Sequence, residues 1–389
     1  MTRPPLVFLL LAGLTSLYGW AVFISTFHAP GSIGLNYNAP GTDYMVFDTA
    51  MRLARSGDLA TLYDGDRFTQ ALNDLFQTQL REPLPFRPWI YPPLFLSILL
   101  PFAPLGFYAS YAVFQIVSAA AMAYAIRLIT ASRSWAFWAA LLCPAASISV
   151  VSGQSSFLVA ALLTTGTALL NRNPIAAGVI FGLLTFKPQF FLLVPVFLLA
   201  NRAWLTSAAG VATFLVLALL PVILFGPEIW TGWFGVFAES TSGKDPRWFL
   251  YGRVWGESVY TCVYLFGAGH GVANIAQWAA TLLAAGCVWS VSRGTAALDL
   301  RAAALLTASL LAAPHSGGYD LVLLVCASAL LLNHLGTNAG RGDWWLCLLT
   351  WLLPLFGIPA HSVIGRFGPI LAMVLLGRIM LLSGAWRGK

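Results

Sequence analysis

The chain has 389 residues, 59% hydrophobic and only 9% charged, with a formal net charge of +7. Its repeated apolar runs of near membrane-spanning length exclude a soluble globular domain and define an all-α polytopic membrane protein. The basic residues are scattered through short connectors, as the positive-inside rule requires, so the charge does not point to nucleic acid. The five cysteines (Cys143, Cys262, Cys287, Cys326, Cys347) lie far apart and mostly inside apolar runs. They read as small core residues, neither disulfides nor metal ligands.

The first apolar run, about Leu6 to Phe27, is too long for the apolar region of a secretory signal, and no small-x-small cleavage site follows it. It reads as a retained first span. The polar stretch that follows, a first outer loop over 28–91, is the longest in the chain, and loops of that length are usually functional. It opens with Gly41 to Gly57, in which Thr42 or Asp43 can serve as N-cap, the run through Arg55 as helix and Gly57 as the C′ residue. Asp43 and Asp48 then point roughly 140° apart and are no facing dyad. Asp43, at the start of the helix, is the better placed for chemistry; a helix cap alone also explains it.

Asp64-Gly65-Asp66 matches the Asp-x-Asp pattern that holds divalent metal in many nucleotide-sugar transferases, and the reading preferred here is an ordinary turn opening the next helix. That helix, about Arg67 to Leu80, places Phe68, Leu72, Leu75 and Phe76 on one face. Both helices are expected to lie flat at the membrane interface. From Arg81 to Pro93, prolines forbid a continuous helix, and Trp89 and Tyr91 suit the headgroup layer.

Placing Lys and Arg inside gives spans near 106–130, 134–152, 155–170, 174–186, 188–200, 203–225, 272–291, 302–313, 319–334, 343–359 and 367–383. With the first run these make about twelve, with both termini cytoplasmic. Residues 92–105 are treated as a re-entrant or outer-leaflet segment. Residues 174–200 are divided into two spans, because a single one would bury Lys187 mid-membrane and put Arg202 outside. The Asp43 loop, Gly153-Gln154-Ser155-Ser156, Lys187-Pro188-Gln189, a second large outer loop over 226–257 and Pro314 to Asp320 then share the outer face. Polar, helix-breaking backbone at membrane depth is tolerated where it lines a cavity, so that face is expected to carry one.

Within it, Lys187 suits a lipid phosphate, or snorkels to the headgroups. His315, followed by small residues, can donate to a phosphate or sugar, or is a plain loop histidine. Gln154 can donate and accept, or acts as inter-helix glue. The 226–257 loop mixes Glu228, Glu239, Lys244, Asp245, Arg247, Arg253 and Glu257 with four tryptophans. That mixture fits sugar stacking and phosphate binding as well as an interfacial belt. No His/Cys cluster, glycine-rich phosphate loop or Gly-x-Ser-x-Gly is present, so ATP use and serine hydrolysis have no support.

In order, Asp43-Tyr44-Met45-Val46-Phe47 with Ala50, Gly57 and Leu62-Tyr63-Asp64, then Tyr91-Pro92-Pro93-Leu94, Gly153-Gln154-Ser155, Lys187-Pro188-Gln189 and Pro314-His315-Ser316 form a set. In that set the chain resembles the integral-membrane polyprenyl-phosphate-mannose-dependent α-1,2-mannosyltransferases, a group of the C-type glycosyltransferase fold. Glu257-Ser258-Val259 departs from the Asn-Gln-Ser type sequence that relatives often carry there. The resemblance implies one transmembrane domain over 1–389 and inverting transfer of a sugar, mannose, from a polyprenyl-phosphate donor to a glycolipid or glycan acceptor. It also implies the non-cytoplasmic face of a bacterial inner membrane and Asp43 as general base. Lys187, His315, Gln154, Arg253 and Tyr91 would then serve the donor phosphate and sugar, and Asp48 would be an acceptor-side contact or a partner for Arg52. No metal or other cofactor is expected. A transporter or flippase of a lipid-linked sugar would instead show internal repeats and midplane charges. A non-catalytic subunit of a glycan-assembly complex would tolerate replacement of Asp43.

Overall fold

A computed structural model describes residues 5–25, 39–130, 134–242, 244–249, 251, 256–356 and 367–384, with no strand among them. Helix α1 (Leu6–Ser25) is apolar on every side and largely exposed, as a lipid-facing span requires. Helix α2 (Thr42–Ser56) is entered through Gly41, whose φ of 75° is left-handed, and no side chain caps it. Neither Thr42 nor Asp43 is therefore the N-cap that their chemistry invites. The helix begins one residue earlier than expected, because the Gly41 N–H is drawn to the Val151 carbonyl at 2.7 Å. At the other end Gly57 takes the left-handed C-cap, at φ 77°.

Helix α3 (Leu59–Leu62) is a single turn capped by Asp58, and α4 (Gly65–Leu75) is capped by Asp64, which accepts from the Asp66 and Arg67 N–H groups. Phe68, Leu72 and Phe76 are buried as the periodicity predicts. Leu75, expected on the same face, is 39% exposed. The helix also stops short of Leu80. Asn73 turns the chain back by bonding the N–H and carbonyl of Leu84, and Thr69 Oγ1 accepts from the Arg87 N–H. Helix α5 (Pro93–Leu99) and a 3₁₀ turn over Leu100–Phe102 follow. Phe95 stacks on Phe186 at 4.5 Å, and Arg55 of α2 donates to the Ala103 carbonyl.

The membrane bundle comprises α6 (Phe107–Thr130), α7 (Ser134–Leu142), α8 (Pro144–Ser152), α9 (Ser156–Leu169), α10 (Pro174–Leu183), α11 (Pro188–Phe191), α12 (Val194–Ala200) and α13 (Trp204–Phe225). After the outer α14 (Glu228–Thr241), α15 (Pro246–Phe249) and α16 (Val259–Leu265) it continues with α17 (His270–Arg293), α18 (Leu298–Ala312), α19 (Val322–Leu335), α20 (Arg341–Phe356) and α21 (Gly368–Leu382). The expected span over 134–152 is broken at Cys143, where Pro144 opens a new helix. The run over 174–200 folds back at Lys187, since Phe181 and Phe197, on either side of it, meet at 6.0 Å. A straight helix would hold those rings more than 20 Å apart. Among the described residues, five segments are long and apolar enough to cross a membrane unaided: α1, α6, α13, α17 and Gly318–Asn338. The last lies in the middle of the bundle, 78% buried. Alpha13 is held at the periphery by a tight crossing in which a Cβ on Gly178 would lie 2.3 Å from the Thr206 carbonyl.

Charged residues divide between the two ends. At one end Asp299 pairs with His334, Asp343 with Arg378, and Arg301 donates to Asn201. The junctions α8–α9, α10–α11 and α18–α19 gather at the other end, where Asp320 accepts from Lys187 and Ser156, and α2 lies against the first of them.

Candidate active site

The site grows from a backbone contact. Gly41, entering α2, bonds the carbonyl of Val151, and Gly153, leaving α8, is left-handed at φ 80°. A Cβ on Gly153 would lie 2.6 Å from the Cβ of Tyr44, so only glycine lets α2 dock this closely. Tyr44 anchors the dock by its hydroxyl, 2.6 Å from Ser110 Oγ. The residues next to these anchors are Asp43 and Gln154, and they meet.

Asp43 accepts from Gln154 Nε2 on Oδ2 at 3.0 Å and from Arg87 Nη1 on Oδ1 at 2.6 Å. Gln154 is itself held: its backbone carbonyl accepts from Gln115 Nε2, and its Oε1 accepts from the Tyr91 hydroxyl at 3.3 Å. The Tyr91 ring sits edge-on to Phe47, and its neighbour Ile90 accepts from the Trp233 indole of α14. The Asp43 and Arg87 side chains keep 13% and 27% exposure, so the pair is sheltered yet reachable. Burial opposes the guanidinium, but Asp43, Tyr251 and Tyr319 together more than offset this and hold Arg87 above its ordinary value.

Lys187 forms a second charged group beside the first. Its ammonium is 3.0 Å from Asp320 Oδ1, with both side chains almost fully buried, and lies over the rings of Phe190 and Tyr319. The Asp320 carboxylate also accepts from Ser156 Oγ at 2.7 Å and from the Gly317 N–H at 3.0 Å. Lys187 does not snorkel. A direct phosphate contact would need the pair with Asp320 to open. The same loop carries half-buried His315, and the next residue, Ser316, accepts from the Glu257 N–H at 2.7 Å.

Tyrosines join the two groups. Burial first, then Tyr251, Asp43 and Asp320, raise the Tyr91 hydroxyl well above the phenol range. Burial pushes Tyr251 up to about 12, with Arg87 pulling it down and Asp43 adding to the rise. Tyr91 thus lies near enough to both carboxylates to feel their charge.

The structure thus brings Asp43, Gln154, Tyr91, Lys187 and the His315 loop to one end of the bundle. Arg253 lies outside the described residues. Asp48 is buried and turned to Arg52, 2.6 Å away, so the Arg52 partnership is the one observed. Asp64 is engaged in capping α4, while Asp66 bonds Arg247, which also holds Asp245 and covers Phe86. Sequence reasoning missed Arg87 and Asp320. The signal for Asp320 was the need of a buried lysine for a carboxylate. For Arg87 the proline-flanked segment gave no direction.

A bundle of apolar helices whose interrupted ends gather charges and hydroxyls at one end is that of an integral membrane protein with a polar site at one face. Glycosyltransferase family 87 matches residues 89–314, more than half the chain, and the chain belongs to that family. It is a membrane glycosyltransferase. The match takes in Tyr91, Gln154, Lys187 and Glu257, while Asp43, Arg87, His315 and Asp320 lie outside it. Comparison with curated proteins and with solved structures returns no significant match.

Proposed function

We propose that the chain is an inverting transferase that moves mannose from a polyprenyl-phosphate donor to a hydroxyl of a glycolipid or glycan acceptor. Transfer takes place on the non-cytoplasmic face of a bacterial inner membrane. The observation that carries this reading is Asp43. Its carboxylate leaves the capping position that would explain it away and is held by Arg87 and Gln154 at 13% exposure.

In the reaction the Asp43 carboxylate takes the proton of the acceptor hydroxyl as that oxygen bonds to the anomeric carbon from the side opposite the phosphate. The anomeric carbon–oxygen bond breaks, its electron pair stays on the phosphate oxygen, and polyprenyl phosphate departs. A phosphate leaves without a strong acid, so the protein's task on that side is to stabilise growing negative charge with fixed donors. His315 and the Tyr91 hydroxyl serve there, with Lys187 and Asp320 bracing the loop behind them. The scheme requires no metal, and transfer is expected to be insensitive to chelators.

The test is reconstitution with polyprenyl-phosphate mannose and a membrane glycolipid acceptor. Asp43→Asn, which keeps shape and the Gln154 contact, is expected to lose transfer by about a hundredfold or more. Wild-type transfer by this variant would remove the base assignment, and mass analysis of the product reports the sugar moved.

A further inference from the structure

Arg87 Nη1 sits on Asp43 Oδ1 at 2.6 Å and Gln154 Nε2 on Oδ2 at 3.0 Å, so an acceptor hydroxyl must compete with Arg87 for the carboxylate. Something must draw Arg87 off Asp43 before the carboxylate can accept a proton. Among the described residues the Arg87 side chain makes one hydrogen bond, through Nη1 to Asp43, and a guanidinium has five donors in a planar fork. That fork matches a phosphate by two parallel bonds. Among the described residues, Lys187 and Arg247 are committed. Lys187 is 3% exposed and paired with Asp320, and Arg247 is shared by Asp66 and Asp245. Arg87 itself keeps 27% exposure, and its backbone is pinned through its N–H to Thr69, so its side chain can turn while its place in the chain stays fixed.

We infer that Arg87 receives the phosphate of the polyprenyl phosphate and, in turning to it, releases Asp43, so that the base is freed only when a donor is present. The inference rests on the transfer reading above and adds to it the residue that links donor binding to base activation. The two anions, carboxylate and phosphate, compete for one cation, and this competition has a consequence that a purely structural Arg87–Asp43 pair lacks. Removing the carboxylate must strengthen phosphate binding.

The experiment measures binding of polyprenyl monophosphate to the full chain in nanodiscs by intrinsic tryptophan fluorescence, with the uncharged polyprenol as comparator. Arg87→Gln is expected to weaken the phosphate about tenfold or more, and Arg87→Lys, which keeps a charge without the fork, to weaken it less. Asp43→Asn is expected to tighten it about fivefold. Polyprenol should bind alike in all four proteins. Unchanged or weaker phosphate binding by Asp43→Asn overturns the inference, as does a polyprenol series that follows the phosphate series. If Arg87→Gln does not fold, Arg87→Lys and Asp43→Asn decide the matter between them. An Asp43→Asn protein that binds phosphate more tightly yet transfers sugar normally would end the base assignment and leave the Arg87 site standing. An inactive Asp43→Asn with unchanged affinity would do the reverse.

Discussion

Removing either member of the Lys187–Asp320 pair should unfold the polar end of the bundle, and removing both should cost less than the sum. Among the described residues the Asp320 carboxylate has three donors: Lys187 at 3.0 Å, Ser156 at 2.7 Å and the Gly317 N–H at 3.0 Å. Lys187→Met leaves the carboxylate buried with two neutral donors, a loss of about 3 kcal/mol, at the lower end for a broken buried pair. Asp320→Leu leaves a buried ammonium with only aromatic faces 4.9 and 5.7 Å away and strands the two neutral donors, a loss of about 5 kcal/mol. The doubly substituted protein holds no unpaired charge. It should be less destabilised than the sum of the single variants by at least about 2 kcal/mol. Unfolding in mixed micelles followed by circular dichroism gives all three values. Single losses that add within about 0.5 kcal/mol would show that the two groups do not act on each other, and the bracing of the His315 loop would fall with them.

Gly153→Ala combines a left-handed backbone at φ 80° with a Cβ 2.6 Å from that of Tyr44, so α2 must retreat; stability should fall by about 2–3 kcal/mol and transfer with it, read by unfolding and by kcat. Asp48→Asn should leave transfer unchanged, since Asp48 faces Arg52 and not Gln154. Burial, only partly offset by Arg52, raises the Asp48 carboxyl, so its contribution to wild-type stability is fully present below the unfolded-state pKa and is lost as pH rises through the folded-state value. The Asn variant should accordingly be the more stable at neutral pH and lose that advantage below about pH 4, as a pH series of unfolding curves would show. Asp64→Ala should cost about 1 kcal/mol through loss of the two N–H contacts that open α4, and its transfer, like that of the wild type, should survive a chelator; loss of wild-type transfer on chelation would return the Asp64-Gly65-Asp66 turn to consideration as a metal site.

Most of the helices could be read from apolar period and punctuation. Proline and glycine placed both ends of α2, the end of α8 and the starts of α10 and α11 to within a residue or two, because their backbone preferences are local, whereas the break that Pro144 makes at the start of α8 was not foreseen. Local reasoning failed where a distant partner decides. Gly41 supplants Thr42 and Asp43 as cap because Val151, far along the chain, takes its N–H. Alpha4 ends early because Asn73 closes on Leu84. The same limit divides the site. Asp43, Gln154 and Lys187 stand out as polar residues in apolar surroundings, whereas Arg87 sits among proline and aromatic residues near other charges, and nothing in that stretch says which carboxylate it will meet.

The manner in which Asp43 is positioned bears on what it can do. Two left-handed glycines, one opening α2 and one closing α8, lie against each other, with a Cβ on Gly153 only 3.2 Å from the Gly41 Cα. Each is one or two residues from a partner in the site, Gly41 from Asp43 and Gly153 from Gln154. The distance between carboxylate and amide is therefore set by backbone packed on backbone, which flexes far less than a long side chain. Arg87 reaches the other oxygen of the same carboxylate on a long, rotatable stem, with its own N–H held by Thr69 of α4. A rigid base and amide facing a movable cation is the arrangement expected where the cation must change partners during turnover and the base must not. A purely structural ion pair would gain nothing from that asymmetry.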